Sequence, residues 1–272
     1  VAIITICRGS RSGGQALAEC LADRLGYPLL GREVIQHAAD ELGVSEAALT
    51  EKMEKAPRLW DRHAVIRRVY VVAVQAALAE QVAGGNLVYH GLAGQLLLKG
   101  LPAVLRLRLI APLAMRLRVL TETERMDQGA AERFIQQVDA QRARWVRMMY
   151  GEDIEDPALY DMVVNLEAMS IPVACELLAT TLTQPDFAIT DRVRMQLADF
   201  RLACRVKLAL VTAPETRGFG LEVAAQDNVV EVSGAAPLQA TGKTGDRISE
   251  IARAVPGVAA VRLKLQWFDP YP

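Results

Sequence analysis

Ile3-Ile4-Thr5-Ile6-Cys7-Arg8-Gly9-Ser10-Arg11-Ser12-Gly13-Gly14-Gln15-Ala16-Leu17 passes from one kind of backbone to another within a few residues. Val1–Cys7 is a short, β-branched apolar run and reads as a buried strand. Gly9–Gly14 is a turn rich in Gly and Ser. From Gln15 to Leu25 the apolar residues Leu17, Cys20, Leu21 and Leu25 recur at helical spacing, and Gly26 closes the helix. A strand that runs through such a turn into a helix aims backbone N–H groups and a helix N-terminus at one point, which suits an anion such as phosphate. The same glycines serve equally as a tight strand-to-helix turn without a ligand.

The complete phosphate-loop signature is GxxxxGK[ST]. Counted from Gly9, the second glycine is Gly14, and Gln15 and Ala16 stand where Lys and Ser/Thr belong. Counted from Arg8, the second glycine is Gly13, and Gly14 and Gln15 take those places. Neither register has the lysine or the Mg²⁺-ligating hydroxyl.

Further along, helices are expected at Glu33–Leu42 and Ala64–Ala83, and a second buried strand at Asn86–His90. Val104–Ile110 alternates Leu with Arg106 and Arg108, which suggests a strand with one solvated face. Leu113–Thr123 and Ala130–Met149 are arginine-rich helices, Met162–Leu166 a short strand and Ile171–Thr183 a helix. Strands separated by helices predict an α/β fold with a mainly parallel sheet. After Gln184-Pro185 the texture changes. Asp191–Leu210 is one or two helices, Gly220–Ala225 and Val229–Ser233 flank a Gln226-Asp227-Asn228 turn, and a helix at Gly245–Ala254 precedes a strand at Val258–Trp267. That order predicts a small α+β domain, with residues 1–187 forming the first domain and 188–272 the second.

The chain has 272 residues, 51% hydrophobic and 23% charged, enough for a sizeable core and too apolar for disorder. A net charge of -1 and 5% aromatic residues give no footprint for nucleic acid, which is not expected as a partner. Cys7, Cys20, Cys175 and Cys204 have no CxxC spacing, so reduced thiols are expected, with neither a zinc site nor a disulfide framework. His37, His63 and His90 are scattered, and no metal site is expected. His90 ends a strand where ligand groups gather, although a lone histidine is more often a packed residue. Glu152-Asp153 with Glu155-Asp156 reads as a charged loop rather than a metal cluster, and Arg67-Arg68 as the polar edge of a long helix. No apolar run reaches membrane length, and Val1–Cys7 is too short for a signal-peptide core, so the cytoplasm is the expected location. The chain opens at Val1 rather than Met, which leaves open whether residues precede it.

Ile3-Thr5-Ile6-Cys7-Arg8 followed by Ser12-Gly13-Gly14 resembles the opening of the cytidylate kinase-like family, a branch of the P-loop nucleoside monophosphate kinases. The resemblance continues through Gly26-Tyr27-Pro28 with Arg32-Glu33-Val34-Ile35, then Ala111-Pro112 with Arg116. It ends with Asp139 and Arg142, Tyr150-Gly151, Asp156-Pro157 and Tyr160-Asp161 with Asn165. It implies a P-loop kinase-like parallel sheet flanked by helices, an ATP site on the loop with Mg²⁺ if the protein is active, and CMP or a similar acceptor. By carry-over, Arg8, Gly9, Arg11, Ser12, Gly13, Gly14 and Gln15 form the nucleotide loop. Arg116 stacks on the donor base or pairs with phosphate, and Arg142 supplies charge to the transferring group, oriented by Asp139 through an i,i+3 pair. Several charged family positions are neutral here. Gln15 replaces an arginine, Ala16 an acidic residue, Gly31 an aspartate and Leu92 an arginine, while Arg11 replaces a glycine and is a candidate to compensate.

Val229-Val230-Glu231-Val232-Ser233-Gly234, a helix, and then Val255-Pro256-Gly257-Val258-Ala259-Ala260-Val261 resemble a BON domain. That implies a binding module for a protein or phospholipid partner. Its last strand reads as core, with Trp267-Phe268 as the alternative anchor for a partner. Two functions therefore stand: a nucleotide-binding kinase-like protein with phosphoryl transfer, or a catalytically degenerate kinase-fold regulatory or scaffold subunit. A homo-oligomer is compatible with both.

Overall fold

β1 (Ile3–Arg8) is buried along its length up to the last residue, which places it inside a sheet covered on both faces. In the computed structural model, which describes residues 2–54, 64–237 and 243–268, β1 pairs in parallel with β3 (Leu87–Tyr89) on one edge. β4 (Val104–Ile110) pairs in parallel on the other edge. The short β2 (Leu29–Leu30) lies outside β3, and β5 (Met162–Asn165) outside β4. The order β2-β3-β1-β4-β5, with every pair parallel, is the expected α/β sheet.

Parallel neighbours need crossovers, and helices supply them. On one face Ile4, Ile6, Leu105, Leu107 and Val164 pack under α1 (Gly14–Leu25) and α8 (Ile171–Leu182). On the other, Ile3 and Val104 meet α2 (Glu33–Leu42), α4 (Ala64–Val82) and the end of α7 (Gln128–Tyr150), where Trp145 is fully buried. α3 (Glu46–Glu54) and the single turn α5 (Gly94–Leu97) complete this side. α6 (Leu113–Thr123) and the first half of α7 form a hairpin with its own apolar cluster of Leu120, Ala131 and Ile135.

β4 shows the expected alternation, with Arg106 and Arg108 on its less buried face, where ion pairs with the segment 152–161 engage them. Arg106 donates to both oxygens of Asp161 at 3.0 and 2.6 Å, and Arg108 pairs with Glu155 at 3.1 Å while lying over the Tyr160 ring. Two other expectations need correction. Arg67-Arg68 is not a polar edge: Arg67 is buried, and Arg68 donates to the carbonyls of Phe219 and Leu221 at 3.0 and 3.1 Å. Nor are all the cysteines reduced. Cys20 of α1 and Cys175 of α8 form a disulfide, since both helices lie on the same sheet face despite the long sequence separation. Cys7 and Cys204 are buried free thiols.

The C-terminal part has α9 (Asp191–Thr212), β6 (Gly220–Gln226), β7 (Val229–Pro237), α10 (Lys243–Ala254) and β8 (Ala260–Phe268). β6 and β7 form an antiparallel hairpin whose turn residues Asp227 and Asn228 have φ of 51° and 63°, the two-residue turn that suits strand twist. β8 returns through α10 to lie parallel to β7, giving a small α+β sheet. α9 is one helix with two apolar faces. Val193, Leu197, Cys204, Leu208 and Val211 join the large core. Leu202, Val206 and Leu210 join the core of the small sheet, with Leu221, Val230, Val232 and Ile248. His63 and the side chains of Trp267 and Phe268 lie outside the described residues.

The disulfide closes a long loop, so it lowers the entropy of the unfolded chain and is expected to contribute about 2–4 kcal/mol. Non-reducing peptide mapping should recover the Cys20–Cys175 pair, and Cys20→Ser should lower the melting temperature of oxidised protein. Equal melting of the variant and the oxidised parent would refute this.

Candidate functional site

In an open parallel sheet, ligands bind beyond the C-terminal strand ends, where successive connections run to opposite sides. Here that point is the end of β1, between β3 and β4. Arg8 ends β1, His90 follows β3, and Ala111-Pro112 follows β4.

The loop from Arg8 to Gly14 is held by few bonds. Ser12 is buried and its hydroxyl donates to the Gly9 carbonyl at 2.9 Å, drawing the loop across itself. Arg11 and Gly13 have φ of 57° and 84°, left-handed conformations of the kind that build a concave anion nest. Gly13 is the N-cap of α1, and a Cβ there would also meet Leu166 at 3.1 Å. No side chain caps α1, so the first N–H groups of the helix keep their positive potential for a ligand.

The α6–α7 hairpin is latched onto this loop by charge. Arg116 donates through Nε to the Ser10 carbonyl at 2.6 Å and pairs with Asp139. The Asp139 carboxylate also accepts from the Ser10 N–H at 2.8 Å. The Arg116 guanidinium lies against Gly9, where a Cβ would stand 3.2 Å from Cζ. Arg11 pairs with Glu124 at 2.5 Å and lies over the Phe134 ring at 5.9 Å.

These contacts gather most of the expected residues and reassign four of them. Asp139 does not orient Arg142, because Arg116 reaches Asp139 and Ser10 together. Arg142 instead donates to the Arg8 carbonyl at 3.4 Å, at the mouth of the loop. Arg11 does not turn inward to compensate for missing cations, because Glu124 and Phe134 hold it outward. Gln15 points along the helix and donates to Glu19 at 2.7 Å. Burial above all, and then the like charge of Arg142, hold the Arg8 guanidinium below its ordinary value.

His90 belongs to this cluster, which its sequence position alone leaves open. Its ring lies against Gly31, where a Cβ would be 2.7 Å from Nε2, so the family's aspartate has no room there. Its Nδ1 is buried without a hydrogen-bond partner. Glu33 accepts from the Gly31 N–H at 2.7 Å and faces the same space. Burial first, and the Arg8 charge second, push His90 below its ordinary value of 6.5, against the pull of Glu33 and Glu19. Only the strand order brings residues 8, 31, 33 and 90 together.

His90 is therefore neutral at pH 7, and its folded value lies below its unfolded one. The unfolded chain binds more protons between those two values, so stability falls as pH drops through that window. NMR titration of the His90 ring should give a midpoint below 6.5. The midpoint should rise when an anion bound beside Arg8 screens its charge. A midpoint at or above 6.5 would contradict this placement of His90.

Comparisons with known proteins bear on the same region. No curated protein matches the chain. Among solved structures, an uncharacterized protein from Eubacterium ventriosum ATCC 27560 is 16% identical with a TM-score of 0.53, over 66% of this chain and 97% of that one. It shares the fold. A shikimate kinase from Bacteroides thetaiotaomicron is 13% identical with a TM-score of 0.42, over 67% of this chain and 99% of that one. A dephospho-CoA kinase from Campylobacter jejuni is 12% identical with a TM-score of 0.37, over 66% and 97%. Residues 3–168, more than half of the chain and all of the loop, strand-end and latch residues described above, match the Cytidylate kinase-like family, and the protein belongs to that family.

Proposed function

We propose that this protein binds a nucleoside triphosphate of the ATP class, its phosphates held by the loop Gly9–Gly14 and the α1 N-terminus. The observation that carries this reading is an uncapped helix N-terminus beside two guanidiniums, Arg8 and Arg142, at the end of the central strand. A desolvated cation, Arg8, and a second cation next to orphan N–H groups favour a polyanion over water. Arg116 and Arg142 then take the phosphate-facing roles of the hairpin, and Arg116 must share or exchange its Asp139 partner to do so.

Two features of the site count against phosphoryl transfer to CMP or a similar acceptor. The family's acceptor-side aspartate is Gly31, and His90 fills its space. The Mg²⁺ implied by the family resemblance does not fit a ligand set in this chain. Gln15 and Ala16 stand where the hydroxyl would be, and Asp139 is held by Arg116 and Ser10. Among the described residues no group of three or more His, Cys, Asp or Glu side chains is placed for a metal. No catalytic step is assigned to it.

A second reading is favoured by one contact. The Asp139 carboxylate already occupies the Ser10 N–H, as an internal anion would in a kinase fold kept as a scaffold. In both readings residues 188–272 act as a BON-like docking module. The outer face of its sheet carries both signs of charge, with Glu231 and Lys264 paired at 2.8 Å. That mixture favours a protein partner over an anionic phospholipid surface. Among the described residues no helix is long and apolar enough to cross a membrane.

Calorimetric titration of MgATP into the purified chain at physiological salt decides between the readings. Saturable binding is expected, weakened about tenfold or more by Arg142→Ala, the loss of a charged hydrogen-bond donor. The absence of heat and of any thermal shift at high nucleotide concentration would leave the scaffold reading.

A further inference from the structure

The cation absent from the lysine position of the loop is present there in space. Counted from Arg8, the signature puts its lysine at Gly14. A Cβ built at Gly14 would lie 1.9 Å from Arg8 Cδ, 2.8 Å from its Nε and 3.0 Å from its Cγ. The Arg8 side chain therefore runs through the volume in which any side chain at position 14 would begin. Gly14 itself is fully packed at the first turn of α1, and it is not in a left-handed conformation that would demand glycine. Close approach of Arg8 is what excludes a side chain.

Arg8 Nε is buried without a hydrogen-bond partner, and no described carboxylate pairs with the guanidinium. Arg142 adds a second cation at the Arg8 carbonyl. A desolvated, unpaired guanidinium beside another cation is costly unless an anion completes it.

We infer that Arg8 is the phosphate-binding cation of this loop, reaching from the end of β1 into the place that a lysine at position 14 would fill. On this inference Gly14 is not a lost lysine but the residue that makes room for a relocated charge. Its ligand is the terminal phosphate portion of the nucleotide, so it rests on the nucleotide-binding reading above and gives that reading its electrostatic centre.

The test is an exchange of positions, read by MgATP titration with thermal melting of each protein as the folding control. Arg8→Ala should weaken binding about tenfold or more, since a charged donor to phosphate is lost. Gly14→Ala, which keeps the arginine but displaces its side chain, should weaken binding in the same direction. The double variant Arg8→Ala with Gly14→Lys vacates the space and returns the cation to its usual sequence position, and should regain most of the affinity. If Arg8→Ala alone does not fold, the Gly14→Ala and double variants carry the comparison. Unchanged affinity in the folded Arg8→Ala or Gly14→Ala variant would overturn the inference while leaving nucleotide binding intact. So would a folded double variant without recovery. Failure of the parent protein to bind MgATP would overturn the nucleotide reading and this inference with it.

Discussion

β1 is paired along both edges and covered on both faces, so the chain leaves it at the centre of the sheet under tight constraint. It must reverse into α1 within a few residues while α8 and Leu166 press on the turn from outside. Small residues at 9, 13 and 14 satisfy that constraint, and the uncapped helix end follows from it. The anion site proposed above would thus be a by-product of the packing as much as an addition to it. The helix end would be left with unsatisfied donors in a partly closed space if nothing negative came to it.

The hairpin of α6 and α7 relates differently to the sheet. Its small apolar cluster is its own, and the links to the loop described here are polar: Arg116 with Ser10 and Asp139, and Arg11 with Glu124. The Arg11–Glu124 pair is well exposed, and such pairs contribute about 0–1 kcal/mol. The Arg116–Asp139–Ser10 set is more sheltered and better connected, so it dominates the latch. A latch of this composition responds to salt and to competing anions, whereas an apolar one would not. On the nucleotide-binding reading, phosphate entering the loop would meet Asp139 as a rival for the same donors.

The fold was legible because its signals are local. The apolar run Ile3–Cys7, the glycines after it and the 3.6 periodicity of α1 lie within one short stretch, and parallel topology follows from alternating strands and helices. The loop residues were legible for the same reason. What sequence could not supply was proximity between distant segments. The Cys20–Cys175 pair, the approach of His90 to Gly31 and the engagement of Asp139 by Arg116 all depend on strand order or helix placement. Local spacing even misled at Asp139, where an i,i+3 partner was available and a more distant arginine took it. At Arg106 and Arg108 alternation marked the less buried face of β4 but not the ion pairs that engage them there.

α9 makes the sheet around β1 and the small C-terminal sheet mechanically dependent. One face of the helix is in the large core and another in the core of the small sheet. Glu80 of α4 pairs with Arg205 of α9, and Arg68 of α4 holds the carbonyls of Phe219 and Leu221 at the entrance to β6. Moving the small sheet alone would break two partly buried backbone acceptors away from Arg68 and open apolar surface beneath α9. Packed cores shift between discrete arrangements rather than deforming smoothly, so such a movement must repack α4. α4 in turn packs on α2, which begins at Glu33, beside Gly31 and His90. The C-terminal sheet and the end of β1 are therefore joined through one contiguous set of helices, α9, α4 and α2.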